Sequence, residues 1–199
     1  MRFVLASASP ARLATLRAAG LEPEVIVSGV DEDAITADSP AELVQVLADA
    51  KASAVARDVG DAVVLGCDSL LELDGDALGK PGSVDAAIAR WRRLRGNTGI
   101  LHTGHRLIDT TSSRTVGRTA SATVRFADVT DDEIETYCRT GEPSAVAGAF
   151  TIDGLGGWFV ESVDGDPHTV VGLSLPLLRR MLADLALGLA DLGYPSPLP

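Results

Sequence analysis

Cysteine is nearly absent: the 199 residues hold two, Cys67 and Cys138. Two thiols without metal-ligand spacing exclude a disulfide scaffold and a thiolate zinc site, and they read as buried, reduced side chains. Lysine is equally scarce, with Lys51 and Lys80 the only two. Aromatic residues make up 4% of the chain, so Val, Leu, Ile and Ala must fill the core. Positive charge is short as well. Seventeen Lys and Arg face 28 Asp and Glu, a net charge of -11. That balance argues against a general polyanion binder, nucleic acid included. A phosphate ligand would need a local cationic pocket, helped by a divalent ion. No apolar run is long enough to span a membrane, and the few apolar residues after Arg2 are too short for a signal peptide, so a soluble cytoplasmic protein is expected.

What is present is apolar mass, 46% of the residues, enough for one sizeable core. Arg2 to Ala6 reads as an opening strand. Ser9 caps a helix with Pro10 in its first turn, running to about Ala19 with Gly20 as its stop. Glu24 to Ser28 is strand-like. Ser39-Pro40-Ala41-Glu42 is a capping box, and the helix behind it carries Leu43, Val46, Leu47, Ala50 and Ala54 on one face to about Asp58. Ala62 to Cys67 is a buried strand. A hairpin follows, with Leu70 to Leu73 and Ala77-Leu78 around Asp74-Gly75-Asp76. Ser83 caps a helix through Leu94. Ile100 to Asp109 and Thr115 to Asp128 are long antiparallel strands. Thr130-Asp131-Asp132-Glu133 opens a helix to about Thr140. Two short strands are expected within 148–163, and Ser174 opens a last helix through Leu187. Early alternation followed by antiparallel pairs predicts a mixed α/β (α+β) domain over 1–193 with a central cleft, and a disordered tail over 194–199.

Three segments carry candidate chemistry. In Leu5-Ala6-Ser7-Ala8-Ser9-Pro10-Ala11-Arg12 a strand turns into a helix N-terminus. That arrangement presents free N–H groups, the Ser7 and Ser9 hydroxyls, and Arg12 one turn in, all suited to phosphate oxygens. A plain Ser-Pro cap with a surface arginine is the alternative. Val63-Val64-Leu65-Gly66-Cys67-Asp68-Ser69 ends an apolar strand in a carboxylate and a hydroxyl, at the usual ligand edge of an α/β sheet. Asp68 would serve as a proton acceptor or as a ligand for Mg²⁺, which needs only one or two carboxylates, with Glu32 of Val30-Asp31-Glu32-Asp33 as the second. The alternative is a turn-capping acid and a solvated acidic loop. Gly79-Lys80-Pro81 lacks the spacing, the hydroxyl residue and the following helix of a P-loop, but proline fixes the chain behind Lys80. Lys51 stands in an apolar, alanine-rich helix, where a solvated face is the bland reading.

Other features carry less. Arg90, Trp91, Arg92, Arg93 and Arg95 occupy several helix faces in an acidic protein and read as a solvated or salt-bridged surface. Gly154-Leu155-Gly156-Gly157 has no helix behind it and is not a dinucleotide fingerprint. His102 and His105 alternate across a strand, so they do not form a metal pair.

These segments, in this order, resemble the Maf family of nucleoside triphosphate pyrophosphatases. The resemblance runs from Leu5 to about Leu178. It includes Cys67-Asp68-Ser69, Leu78-Gly79-Lys80-Pro81, the block Ala147-Gly148-Ala149-Phe150-Thr151-Ile152-Asp153-Gly154-Leu155-Gly156, and Gly165-Asp166-Pro167-His168-Thr169-Val170-Val171-Gly172-Leu173. It implies a two-lobed fold around a deep cleft, often a homodimer, and hydrolysis of NTP or dNTP to monophosphate and pyrophosphate with Mg²⁺, or Mn²⁺ as an alternative. A house-cleaning role on non-canonical nucleotides goes with it. By the same resemblance Ser7, Ser9, Arg12, Lys51 and Lys80 bind substrate, Arg12, Lys51, Lys80 and Asp68 act in catalysis, and Asp68 and Glu32 hold the metal. Ala11, Ser69 and Asp153 stand where the pyrimidine-specific branch has arginine, threonine and glutamine. An ionised aspartate can only accept hydrogen bonds, so a broad nucleotide range is expected. A pyrophosphatase narrow for one modified nucleotide, such as a methylated GTP or pyrimidine triphosphate, and a non-catalytic nucleotide-sensing regulator of cell division are the alternatives.

Overall fold

The computed structural model describes residues 1–195. The first strand, β1 (Arg2–Ala6), buries four of its five residues. After a short loop, α1 (Pro10–Ala18) begins with Ser9 accepting from the Arg12 amide and proline in the first turn. The strand expected over 24–28 is only β2 (Glu24–Val25). The second helix, α2 (Pro40–Ala56), is capped by Ser39, which accepts from the Glu42 amide. Glu42 reaches back to the Asp38 amide at 3.2 Å, so the expected capping box closes one residue early.

The central strand corrects the sequence reading. β3 (Ala62–Leu73) does not stop at Cys67 but runs on for 12 residues through Asp68 and Ser69. It turns at Asp74 and Gly75, both with positive φ, into β4 (Asp76–Leu78). Then come α3 (Val84–Leu94), β5 (Thr98–Asp109), β6 (Thr115–Phe126) and α4 (Asp131–Arg139), all close to expectation, with a complete capping box at Thr130 and Glu133. Residues 148–163 give one strand, β7 (Val160–Asp164), preceded by single 3-10 turns. The glycines there form turns that offer few extended residues to a ladder. A short helix, α5 (Pro167–Val171), was not expected, although Asp166 followed by Pro167 is a legible start signal. The last helix, α6 (Leu175–Asp184), is shorter than expected. Of the tail, Tyr194 donates its amide to Leu189 at 3.2 Å, and residues 196–199 lie outside the described residues.

The strands form one mixed sheet in the order β2-β1-β3-β5-β6-β7, with β4 on β3. One face carries α2 over Val4, Ala6, Ala62 and Val64. The other carries two apolar clusters side by side. Leu5, Leu16, Leu65, Leu107, Leu173 and Met181 lie among one, and Leu71, Leu73, Trp91, Leu101, Phe126 and Ile134 among the second. Trp91, far from a nucleic-acid surface, is fully buried and meets Phe126 and Tyr137 edge-on at 5.7 and 5.5 Å. Arg93 and Arg95 pair with Asp76 and Asp131.

Candidate active site

Strand pairing leaves a gap beside Asp68. β1 runs parallel to β3 from Arg2 opposite Ala62 to Ala6 opposite Gly66, then stops. β4 runs antiparallel on the same edge, from Asp76 opposite Leu73 to Leu78 opposite Leu71. The two strands head towards each other and end short of meeting. Cys67 to Leu70 is the stretch between them, paired only to β5 on its other edge. Chain leaving β1 is the Ser7–Ser9 loop, and chain leaving β4 is Gly79-Lys80-Pro81. Lys80 follows two residues after the last β4 pair, Leu78 opposite Leu71. Three of the sequence-derived segments therefore meet at one break in the sheet edge.

Asp68 is 7% exposed and points to the α2 face. The Lys51 ammonium lies 2.5 Å from its Oδ1 and 2.8 Å from Glu32 Oε1. Lys51 reaches there because it belongs to the buried stripe of α2, not to a solvated face. The buried positions are Val44, Leu47, Ala48, Lys51, Ala52 and Val55, spaced by three and four as one helix face requires. The sequence reading placed the stripe on Leu43, Val46, Leu47, Ala50 and Ala54, and Val46 is exposed. One lysine inside the apolar stripe hid its true phase. Burial pushes the Asp68 carboxyl above the ordinary aspartate value, and the charge and hydrogen bond of Lys51 only partly oppose that. The Cys67 thiol beside it is pushed up to about 12 by burial and is inert.

Arg12 faces the opposite side of the sheet and is 8% exposed. Its Nε donates to the Gly172 carbonyl at 2.8 Å, Nη1 to Ser7 Oγ at 3.1 Å and to the Cys67 carbonyl at 2.9 Å, and Nη2 to Ser69 Oγ at 3.0 Å. The Cys67 carbonyl belongs to the gap, where no strand could take its hydrogen bond. Ser69 Oγ continues to Thr103 Oγ1 at 2.9 Å, which donates to the Thr169 carbonyl at 2.8 Å. Four of the five guanidinium N–H groups are thus committed within the protein, so the surface arginine of the bland reading is excluded. Arg12 ties the loop after β1, the break in β3 and the α5–α6 junction into one unit. Lysine has no planar fork and cannot replace four divergent donors. Arg12→Lys is expected to lower kcat/KM about 10²-fold and to lower the melting temperature, which steady-state kinetics and thermal unfolding would show together.

Thr103 was not singled out from the sequence, since a strand threonine carries no motif, and Thr169 and Gly172 stood only within the block Gly165 to Leu173, with no role assigned to them. Nor was His105 singled out as a support. It is fully buried, its Nδ1 meets the Thr103 carbonyl at 3.0 Å, and its Nε2 accepts the Ser174 amide at 2.9 Å. Burial and the Arg12 charge push its pKa down to about 4, so the ring is neutral and starts α6.

The remaining candidates are placed less tightly. Lys80 is exposed, while the Gly79 carbonyl before it accepts from the Gly148 amide and from Arg90. Ser9 caps α1, and Ala11 is part-buried in its first turn. Asp153 is exposed and lines a groove of about 440 Å³ with Ala14, Thr15, Pro167 and His168, away from the Lys51–Asp68 pair. The donor chemistry fits Mg²⁺. Two carboxylate oxygens already converge on one cationic nitrogen, and magnesium takes one or two carboxylates together with phosphate oxygens and water.

The family model described as Maf-like protein matches residues 2–185. A nucleoside triphosphate pyrophosphatase of Streptomyces coelicolor is 58% identical over 98% of this chain and 96% of its own length. One of Salinispora tropica is 58% identical over 96% of this chain and 87% of its own length. Among solved structures, the Staphylococcus aureus Ham1 protein covers 64% of this chain and 73% of its own, at 18% identity and a TM-score of 0.44.

Proposed function

We propose, since this chain belongs to the Maf-like protein family, that it hydrolyses nucleoside triphosphates to the monophosphate and pyrophosphate. The observation that carries the reading is the buried Lys51 ammonium between Asp68 and Glu32, at the only break in the pairing of β3's edge with β1 and β4. Asp68 and Glu32 would hold Mg²⁺ there. When bound, that ion neutralises phosphate charge and stabilises the leaving pyrophosphate.

The residues supply the rest. Asp68, whose carboxyl burial raises above the ordinary aspartate value while Lys51 favours its ionised form, accepts the proton of the attacking water. Lys51 is poised to exchange its carboxylate partners for phosphate oxygens, and Lys80 enters from the β4 side as a mobile point charge. The Ser7–Ser9 turn offers hydroxyls and the α1 N-terminus. Arg12 holds that turn against β3. Positioning and electrostatics of this kind supply most of the catalysis in phosphoryl chemistry.

A broad nucleotide range is supported by the three specificity positions. Ala11 has no polar group, the Ser69 hydroxyl is committed to Arg12 and Thr103, and Asp153 is an exposed acceptor. None holds a fixed donor–acceptor pair against one base. A panel of canonical and modified NTPs and dNTPs is expected to give pyrophosphate from many members, with turnover lost in EDTA and restored by Mg²⁺. Release from a single nucleotide would overturn the broad range, and nucleotide binding without release would overturn the enzymatic reading.

A further inference from the structure

On the α2 face of the sheet, beyond the end of that helix, lies a cluster the pyrophosphatase reading does not use. His102 is 6% exposed and sits directly across from Ser121 in the β5–β6 ladder. Its Nδ1 is 2.7 Å from Ser121 Oγ, and its Nε2 is 3.0 Å from Glu72 Oε2. Glu72 lies one diagonal step away on β3, since Leu70 pairs with His102. The carboxylate accepts Nε2–H and thereby fixes the tautomer, which leaves the Nδ1 lone pair to accept the Ser121 hydroxyl proton. Ser121 itself is exposed. Nucleophile, base and orienting acid thus stand in hydrogen-bonding order, with the base buried, the acid part-exposed and the nucleophile open to solvent, the arrangement that activates a serine. α2, 17 residues long, begins close by, with Thr119 Oγ1 donating to the Ala41 carbonyl at 3.3 Å. Its positive end favours negative charge developing on this face.

We infer that Ser121, His102 and Glu72 form a second reactive centre, in which Ser121 is a base-activated nucleophile towards activated acyl and phosphonyl electrophiles. With an activated ester, Ser121 Oγ bonds to the acyl carbon while its proton passes to His102 Nδ1, and the alkoxide leaves with that proton as the alcohol. Water then attacks the acyl-serine through the same base, releasing the carboxylic acid and restoring the hydroxyl. With a fluorophosphonate, the Oγ–P bond forms, the P–F bond breaks, and fluoride and the proton leave.

The test treats the full-length protein with a fluorophosphonate probe and locates the label by mass spectrometry, alongside p-nitrophenyl acetate hydrolysis. Ser121 is expected to be the labelled serine, with labelling reduced about 10²-fold or more in His102→Gln and less steeply in Glu72→Gln. Ser121→Ala, a change at an exposed position, is expected to remove the ester hydrolysis. It keeps the test decisive if the histidine variant fails to fold. An unlabelled Ser121, labelling indifferent to His102→Gln in a folded variant, or ester hydrolysis that survives Ser121→Ala would each overturn the assignment.

Discussion

Asp68→Asn is expected to lower kcat/KM for nucleoside triphosphate hydrolysis about 10³-fold while leaving the melting temperature unchanged or higher. The two effects separate because the same burial that tunes the acid works against stability. Burial holds the Asp68 carboxyl above its ordinary value, so the folded protein binds that proton more tightly than the unfolded chain. Such a group adds stability fully below the unfolded value near 4, and the gain is lost as pH rises through the raised folded value. Above that value the ionised Asp68 is a net cost that asparagine does not carry. The amide keeps the shape, and Lys51 keeps Glu32 at 2.8 Å. Asparagine cannot accept the water proton, and loss of a general base costs about 10²–10⁴-fold. The pH–rate profile of the native enzyme should then show an acid limb, as activity falls on protonation of Asp68, and the variant should lack it. A variant with near-native turnover, or one that loses activity only because it unfolds, would contradict the role assigned to Asp68.

Much of this arrangement was legible from residue types. Caps announced α1, α2, α3, α4 and α6, because Ser9, Ser39, Ser83, Thr130 and Ser174 each accept an amide three residues on. Segment order singled out Ser7, Ser9, Arg12, Glu32, Lys51, Asp68 and Lys80. What the sequence did not disclose is relative placement. β3 looked as if it ended at Asp68 because polar residues begin there, yet the strand continues where one edge is unpaired and open to side chains. The phase of α2 was misjudged because periodicity counts lysine as solvent-facing, whereas an ion pair lets Lys51 occupy an apolar stripe. The buried setting of Arg12 was hidden because partners 160 residues away, such as the Gly172 carbonyl, leave no local trace. The break in the sheet edge is a property of three strands at once, and no window of sequence contains it.

Gly66 decides whether the break can work. It lies two residues before Asp68 on the same face of β3, directly under α2. A Cβ there would overlap the Ala48 carbonyl oxygen and stand 2.7 Å from the Ala52 nitrogen. Gly104, opposite Asp68 on β5, is pressed the same way: a Cβ there would overlap the Val44 carbonyl and stand 2.7 Å from the Gln45 nitrogen. Two glycines on adjacent strands thus let α2 approach the sheet closely enough for Lys51, one turn beyond Ala48, to meet Asp68 at 2.5 Å. Backbone cannot rotate away as a side chain can, so Gly66→Ala must lift the helix. The expected cost is about 3 kcal/mol, at the upper end of overpacking, which lowers the melting temperature by about 6–12 °C for a chain of this size. Lifting also draws the ammonium from the carboxylate, and a misplacement of about 1 Å is worth about 10² in rate. Gly60→Ala, with open space around the position, should alter neither quantity. Thermal unfolding and kcat/KM measured on both variants decide the matter. If Gly66→Ala retained native stability and turnover, the spacing between α2 and β3 would not be what sets the Lys51–Asp68 pair.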